Sequence, residues 1–199
     1  MRISFDREKM VIERDTTSLD RFVQDFAALL QAHGVRYVIV SGYVSILFGR
    51  SRSSEDVDII IEHLDRGRFL TLWNALHPRF ECIITENADT AWGEYLLKGT
   101  AVRFSENGKA IPNVELSFPA DPLDRWTLEH RKEVFLNRIP LHISPPELQI
   151  PFKLFLGSEK DIEDARHLYR TLKTSLDAEL LRQFNRKLKV EGLFNKYLR

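Results

Sequence analysis

Between Ser18 and His33 the apolar side chains Leu19, Phe22, Val23, Phe26, Leu29 and Leu30 recur at steps of three and four, and Gly34 follows as a stop. That spacing predicts an amphipathic helix. RYVIVSG is short and apolar, which predicts a buried strand ending at Ser41-Gly42, and YVSILFG suits a helix packed behind it. After the polar RSRSSE, the β-branched run DVDIIIE predicts a second strand. Phe69, Leu72, Trp73 and Leu76 mark another amphipathic helix, and FECII a further strand. Residues 95 to 104 and 110 to 118 flank a connection containing Asn107-Gly108, the signal of an antiparallel hairpin.

LDRWTLEHRKEV predicts a helix, and FLNRIPLHIS a last edge strand, with Pro140 tolerated at an edge or bend. Ser144-Pro145-Pro146-Glu147 has the form of a helix opening, with Ser144 as cap and Glu147 three residues later. The helix that follows runs through Lys153, and Pro151 is expected to kink or interrupt it. Gly157 breaks the chain, Ser158 caps EKDIEDARHLYRTL, and the remainder is helical and basic. The fold class is therefore α/β (α+β), a mixed sheet flanked by helices with a C-terminal helical segment. Its units are a core over 1–145 and a helical region over 146–199 packed on it.

With 199 residues, 43% of them hydrophobic, the chain supports one substantial core plus a helical annex. Its 29 basic and 29 acidic residues cancel, so nothing global favours a polyanion and any nucleic-acid contact must be local. The single Cys82 has no intrachain partner and no CxxC accompanies it, which fits a reduced cytoplasm. The six histidines show no metal-ligand spacing. No apolar run approaches the roughly 20 residues that span a bilayer, and the polar start MRISFDREKM lacks a signal-peptide core. A cytoplasmic protein with no membrane partner is expected.

Alternate side chains of a strand share a face, so Asp56 and Asp58 project together while Val57 and Ile59 point the other way. Two like charges beside an apolar strand are costly unless a cation offsets them, and Mg²⁺, a hard ion bound by one or two carboxylates plus substrate phosphates, is suited to that task. Such sites serve phosphoryl or nucleotidyl transfer. An exposed strand edge with two solvated acids is the plainer alternative. Upstream, Ser41-Gly42 closes a strand and opens a helix, presenting free backbone N–H groups to a phosphate.

The segment VIVSGYVSILFGRSRSSEDVDIII resembles the opening of the DNA-polymerase-beta-like nucleotidyltransferase superfamily, a strand ending in a G-[GS] turn followed by D-h-[DE]-h, with h apolar. It is most similar to the minimal branch related to the AbiEii and MenT toxins, whose pattern puts an Arg and a Ser or Thr before the acids, here Arg52 and Ser54. Ser41 stands where many members have the first Gly, and Tyr43 where a small residue is usual. The resemblance implies two Mg²⁺ ions held by Asp56, Asp58 and a third carboxylate from a later strand. Glu115 in NVELSF is the candidate, against the alternative of a surface acid on a hairpin; Asp121 and Asp124 look more like turn and cap residues. LQIPFKLFLGSEKDIEDARHLY is similar to the closing signature of the AbiEii type. By that likeness Lys153 contacts nucleotide phosphates and Asp161 lies in the cleft. Asp161 has a rival role in capping, three residues after Ser158, while Lys160 and Asp164 read as a surface i, i+4 pair.

The tail carries Arg182, Arg186, Lys187, Lys189, Lys196 and Arg199 among apolar residues. It reads either as a guide for an RNA or DNA acceptor or as an amphipathic helix with a solvated basic side. Taken together, the expected function is transfer of NMP from a nucleoside triphosphate, ATP among them, to a hydroxyl. Ser41, Gly42, Arg52, Ser54 and Lys153 bind the nucleotide, and Asp56, Asp58, Glu115 and Asp161 carry the chemistry. The toxin likeness implies a tRNA or other RNA acceptor and a cognate antitoxin. The alternative is a catalytically inactive nucleotide-binding or regulatory protein that keeps the fold.

Overall fold

The computed structural model describes residues 1–6 and 9–198, so Arg199 of the basic tail lies outside the described residues. In chain order the elements are β1 (Arg2–Asp6), β2 (Lys9–Glu13), α1 (Ser18–Ala32), β3 (Tyr37–Ile39), α2 (Gly42–Leu47), β4 (Asp56–Ile61), α3 (Arg66–Leu76) and β5 (Phe80–Cys82). Then come α4 (Ala88–Thr90), which winds on through a wide π turn and a tighter 3-10 turn to Lys98, β6 (Val102–Glu106), β7 (Asn113–Ser117), α5 (Pro122–Glu129), β8 (Lys132–Leu136) and β9 (Ile139–Ile143). Helices α6 (Pro146–Leu156), α7 (Glu159–Leu172), α8 (Ala178–Lys187) and α9 (Glu191–Leu198) finish it.

The strands form one mixed sheet in the order β1-β2-β8-β9-β3-β4-β7-β6-β5, flanked by helices as expected. One face carries the main core. Val57, Ile59 and Ile61 of β4 and Val114 and Leu116 of β7 are fully buried there, with Phe26 of α1 against Phe80 at 5.2 Å and Trp73 of α3 against Phe104 at 5.5 Å, both edge-on. The other face holds a small cluster of Val38, Ile60 and Leu128, so α5 covers one end of β4 and leaves the Asp56 end free.

Several local readings are corrected. Lys132–Leu136 belongs to a strand rather than to the helix before it: β8 pairs in parallel with β2 and antiparallel with β9, and those ladders outweigh the helix-forming EHRKE. β9 is consequently not an edge strand, since it lies between β8 and β3. Tyr95–Lys98, read as part of the first hairpin arm, is helical, and pairing with β7 begins only at Val102. The cap of α6 is Pro145; Ser144 instead donates its backbone N–H to Ile39 at 2.8 Å, prolonging the sheet. Pro151 does not interrupt α6: the one hydrogen bond it deletes mid-helix is outweighed by Leu148, Ile150 and Leu154, which are held in the core. Gly157 ends α6 with φ 74°, a left-handed conformation that glycine adopts without strain.

Candidate active site

β4 begins at the catalytic candidates. Asp56 is exposed, Asp58 half-buried, and the residues between and after them point into the core. Parallel pairing with β7 sets Asp58 beside Glu115 and Asp56 beside Asn113, so three carboxylates share one strand face. Burial pushes the Asp58 carboxyl above its ordinary value; the charges of Glu115 and Asp56 add to the rise, while the Ser41 hydroxyl and the Lys153 ammonium oppose it. The Ser54 hydroxyl donates to Asp56 at 3.1 Å.

The turn between β3 and α2 faces these acids. Val40 donates its N–H to the Asp58 carbonyl at 3.0 Å, which locks the turn to β4. Ser41 has φ 59° and ψ −129°, a region that glycine occupies freely and other residues only under strain of about 1–3 kcal/mol. Its backbone is held from behind, where Gln149 of α6 donates to its carbonyl at 3.0 Å. A Cβ on Gly42 would meet the Arg52 guanidinium at 2.1 Å, so glycine is what lets Arg52 lie against the turn. Tyr43 points away from the acids. Fully buried, it donates its hydroxyl to Asp20 at 2.8 Å, where Arg14 binds the same carboxylate through both Nη atoms at 2.6 and 2.7 Å.

Behind the turn sits a second charged cluster. Lys153, 2% exposed, reaches Asp161 at 2.6 Å and Asp164 at 3.3 Å. Asp164 is fully buried and also lies 2.6 Å from Arg50 and 3.3 Å from Arg52. The surface pairing of Lys160 with Asp164 is thereby overturned: α7 turns Asp164 inward, against two arginines from the loop before β4. Asp161 takes the capping place that its spacing suggested and also pairs with Lys153. Ser158 caps α7 by accepting from the Asp161 N–H at 3.2 Å and donates its hydroxyl to the Asp161 carboxylate at 2.6 Å. Burial raises that carboxyl, but hydrogen bonds from Lys153 and Ser158 outweigh it and hold the group below its ordinary range.

Glu115 faces the acids as its spacing required, yet its carboxylate is ion-paired with Arg103, its cross-strand neighbour on β6. Two residues carry no local signal: Arg50, whose partner Asp164 comes from a helix far along the chain, and Arg103, whose pairing with Glu115 depends on the exact register of the hairpin. Asp121 caps α5 by accepting from Leu123 and Asp124, as its spacing suggested. Among the described residues no three His, Cys, Asp or Glu side chains already converge as a metal-holding group. The donor set nevertheless fits a hard divalent cation: three carboxylates by register, and an Asp58 whose charge is left undercompensated. No described helix is long and apolar enough to cross a membrane.

The structure is similar to that of an antigenic nucleotidyltransferase-like protein from Paracoccidioides brasiliensis, at 19% identity over 88% of this chain and 89% of that one, with a TM-score of 0.55. It is also similar to the antibiotic-resistance factor ANT(2'')-Ia, at 14% identity over 92% of this chain and 97% of that one, with a TM-score of 0.52. No protein-family model and no curated protein sequence matches the chain. At these identities the likeness is one of fold, a mixed sheet flanked by helices as in nucleotidyltransferase-like proteins.

Proposed function

We propose that the protein is an Mg²⁺-dependent nucleotidyltransferase that moves NMP from a nucleoside triphosphate to a hydroxyl acceptor. The observation that carries this reading is the undercompensated Asp58, aligned with Glu115 and Asp56 and facing the Ser41-Gly42 turn. Asp56, Asp58 and Glu115 would hold the ions, which supply charge neutralisation at the phosphoryl oxygens when bound. Backbone N–H groups at Gly42 would meet the triphosphate, with Arg52 packed against that glycine and Ser54 steadying Asp56. Lys153, close enough to lower the Asp58 carboxyl, adds positive charge from beneath, and Asp161 fixes that lysine. The acceptor oxygen bonds to the α-phosphorus, the bond to the bridging oxygen breaks, pyrophosphate leaves, and the hydroxyl proton passes to a carboxylate of the acid face. Catalysis rests on positioning and charge stabilisation, with no protein nucleophile.

The likeness to AbiEii and MenT toxins favours tRNA or another RNA as acceptor, with a cognate antitoxin as partner. The basic side of α8 and α9 would supply its phosphate contacts. A second reading has one observation in its favour: the Arg103–Glu115 pair occupies the third acid, as it would in an inactive protein that only binds nucleotide. Incubation with each α-³²P-labelled NTP, Mg²⁺ and total RNA, and in parallel with a small-molecule hydroxyl panel including aminoglycosides, separates the two. Labelled product that vanishes in Asp58→Ala is expected. Nucleotide binding without transfer to any acceptor would reject the enzyme in favour of the binding protein.

A further inference from the structure

Glu115 has neighbours of opposite sign on its two sides. On β4, Asp58 is its register partner and a source of repulsion; on β6, Arg103 is its register partner and its ion pair. The Glu115 side chain is 22% exposed and that of Arg103 50% exposed, so the pair is open to solvent. Pairs of that kind are worth little net and exchange readily. A divalent cation beside Asp56 and Asp58 offers Glu115 two charges in place of one and removes the repulsion from Asp58 at the same time. The backbone register already places the three acids on one face, and Glu115 is turned to Arg103 instead of completing a group with the other two.

We propose that Arg103 is a positioning residue: it holds Glu115 out of the acid cluster, and Glu115 exchanges Arg103 for the divalent cation when that cation arrives. The inference rests on the proposed metal-dependent reading of the same site. A merely structural pair on the sheet would not couple to cation affinity.

The test is titration with Mn²⁺ and no nucleotide, following the free-ion signal by electron paramagnetic resonance. Arg103→Ala is expected to tighten binding roughly fivefold, the size of a lost exposed ion pair. Arg103→Lys should restore the wild-type value. In a Glu115→Gln background, removal of Arg103 should change nothing, because no pair is left to exchange. An unchanged affinity in Arg103→Ala overturns the inference, and so does an equal gain in both backgrounds, which would be a general charge effect. Should Arg103→Ala fail to give the wild-type circular dichroism spectrum, Arg103→Gln, which keeps the aliphatic stem, takes its place in every comparison. Asp58→Ala separates the two levels of argument: if it leaves Mn²⁺ binding intact, the metal site itself is rejected; if it abolishes binding while Arg103→Ala is neutral, only the exchange is rejected.

Discussion

Two aspartates flank the short segment from Ser41 to Tyr43, one reached by each end of it. Tyr43 donates to Asp20, and the Ser41 hydroxyl draws the Asp58 carboxyl downward. Asp20 is completely buried, yet its carboxyl lies below its ordinary value of 3.8: burial raises it, and Arg14, Thr17 and Tyr43 together outweigh that. Burial raises the Asp58 carboxyl as well, but there Glu115 and Asp56 add to the rise and Ser41 and Lys153 do not offset it, so the group lies above 3.8. Depth alone therefore does not decide which acid is strained. What decides it is whether the chain supplies the counter-charge, and an acid the chain leaves undercompensated is one that a ligand can complete.

Exchanging each acid for its amide should split the two roles. Asp58→Asn is expected to lower transfer by on the order of 1000-fold while leaving the fold at least as stable as before, read by single-turnover assays beside thermal melts. Asp20→Asn should do the reverse. It strands Arg14 in the interior and destabilises by about 3–5 kcal/mol, read by urea unfolding, with the folded fraction still competent. If Asp58→Asn unfolds the protein, or Asp20→Asn abolishes transfer in folded material, the contrast collapses.

Acidity gives a finer view of the same contrast. Because the folded carboxyl of Asp20 lies below 3.8, its contribution is complete above that value and is lost as pH falls through the lower folded value. For Asp58 the folded carboxyl lies above 3.8, so its ionisation weighs against folding at neutral pH and that burden fades as pH falls toward 3.8. Urea unfolding across pH should show the deficit of Asp20→Asn constant down to about 4, while the surplus of Asp58→Asn shrinks over that same interval. Parallel curves would mean that neither shift exists. The smallest effect is expected at the turn: Ser41→Gly should relieve strain and gain about 1 kcal/mol, and lose up to about tenfold in turnover as the hydroxyl that draws the Asp58 carboxyl downward is removed.

Much of this arrangement was legible in local pattern. The spacing of α1, the β-branched β4 and the Asn107-Gly108 connection each specify their element within a few residues, and the alternation along β4 and β7 puts Asp56, Asp58 and Glu115 on one face. What escaped was set by partners far along the chain. β1 and β2 lie in a stretch for which local pattern predicts no element, and β8 is rich in helix formers; each is a strand because it pairs with others. Tyr43 looked like a defect in the phosphate turn until Asp20 and Arg14 accounted for it. Asp164 looked like a surface charge because Arg50 and Arg52, which make it a buried hub, belong to a different loop.

That hub also imposes an order of assembly. Arg50 and Arg52 precede β4, whereas their counter-charge arrives only with α7. During synthesis the loop that braces the acid strand must wait, with its guanidinium groups bare, until most of the chain has emerged. The acid strand is therefore braced only once α7 docks, so a helix from late in the chain completes a face laid down by much earlier sequence.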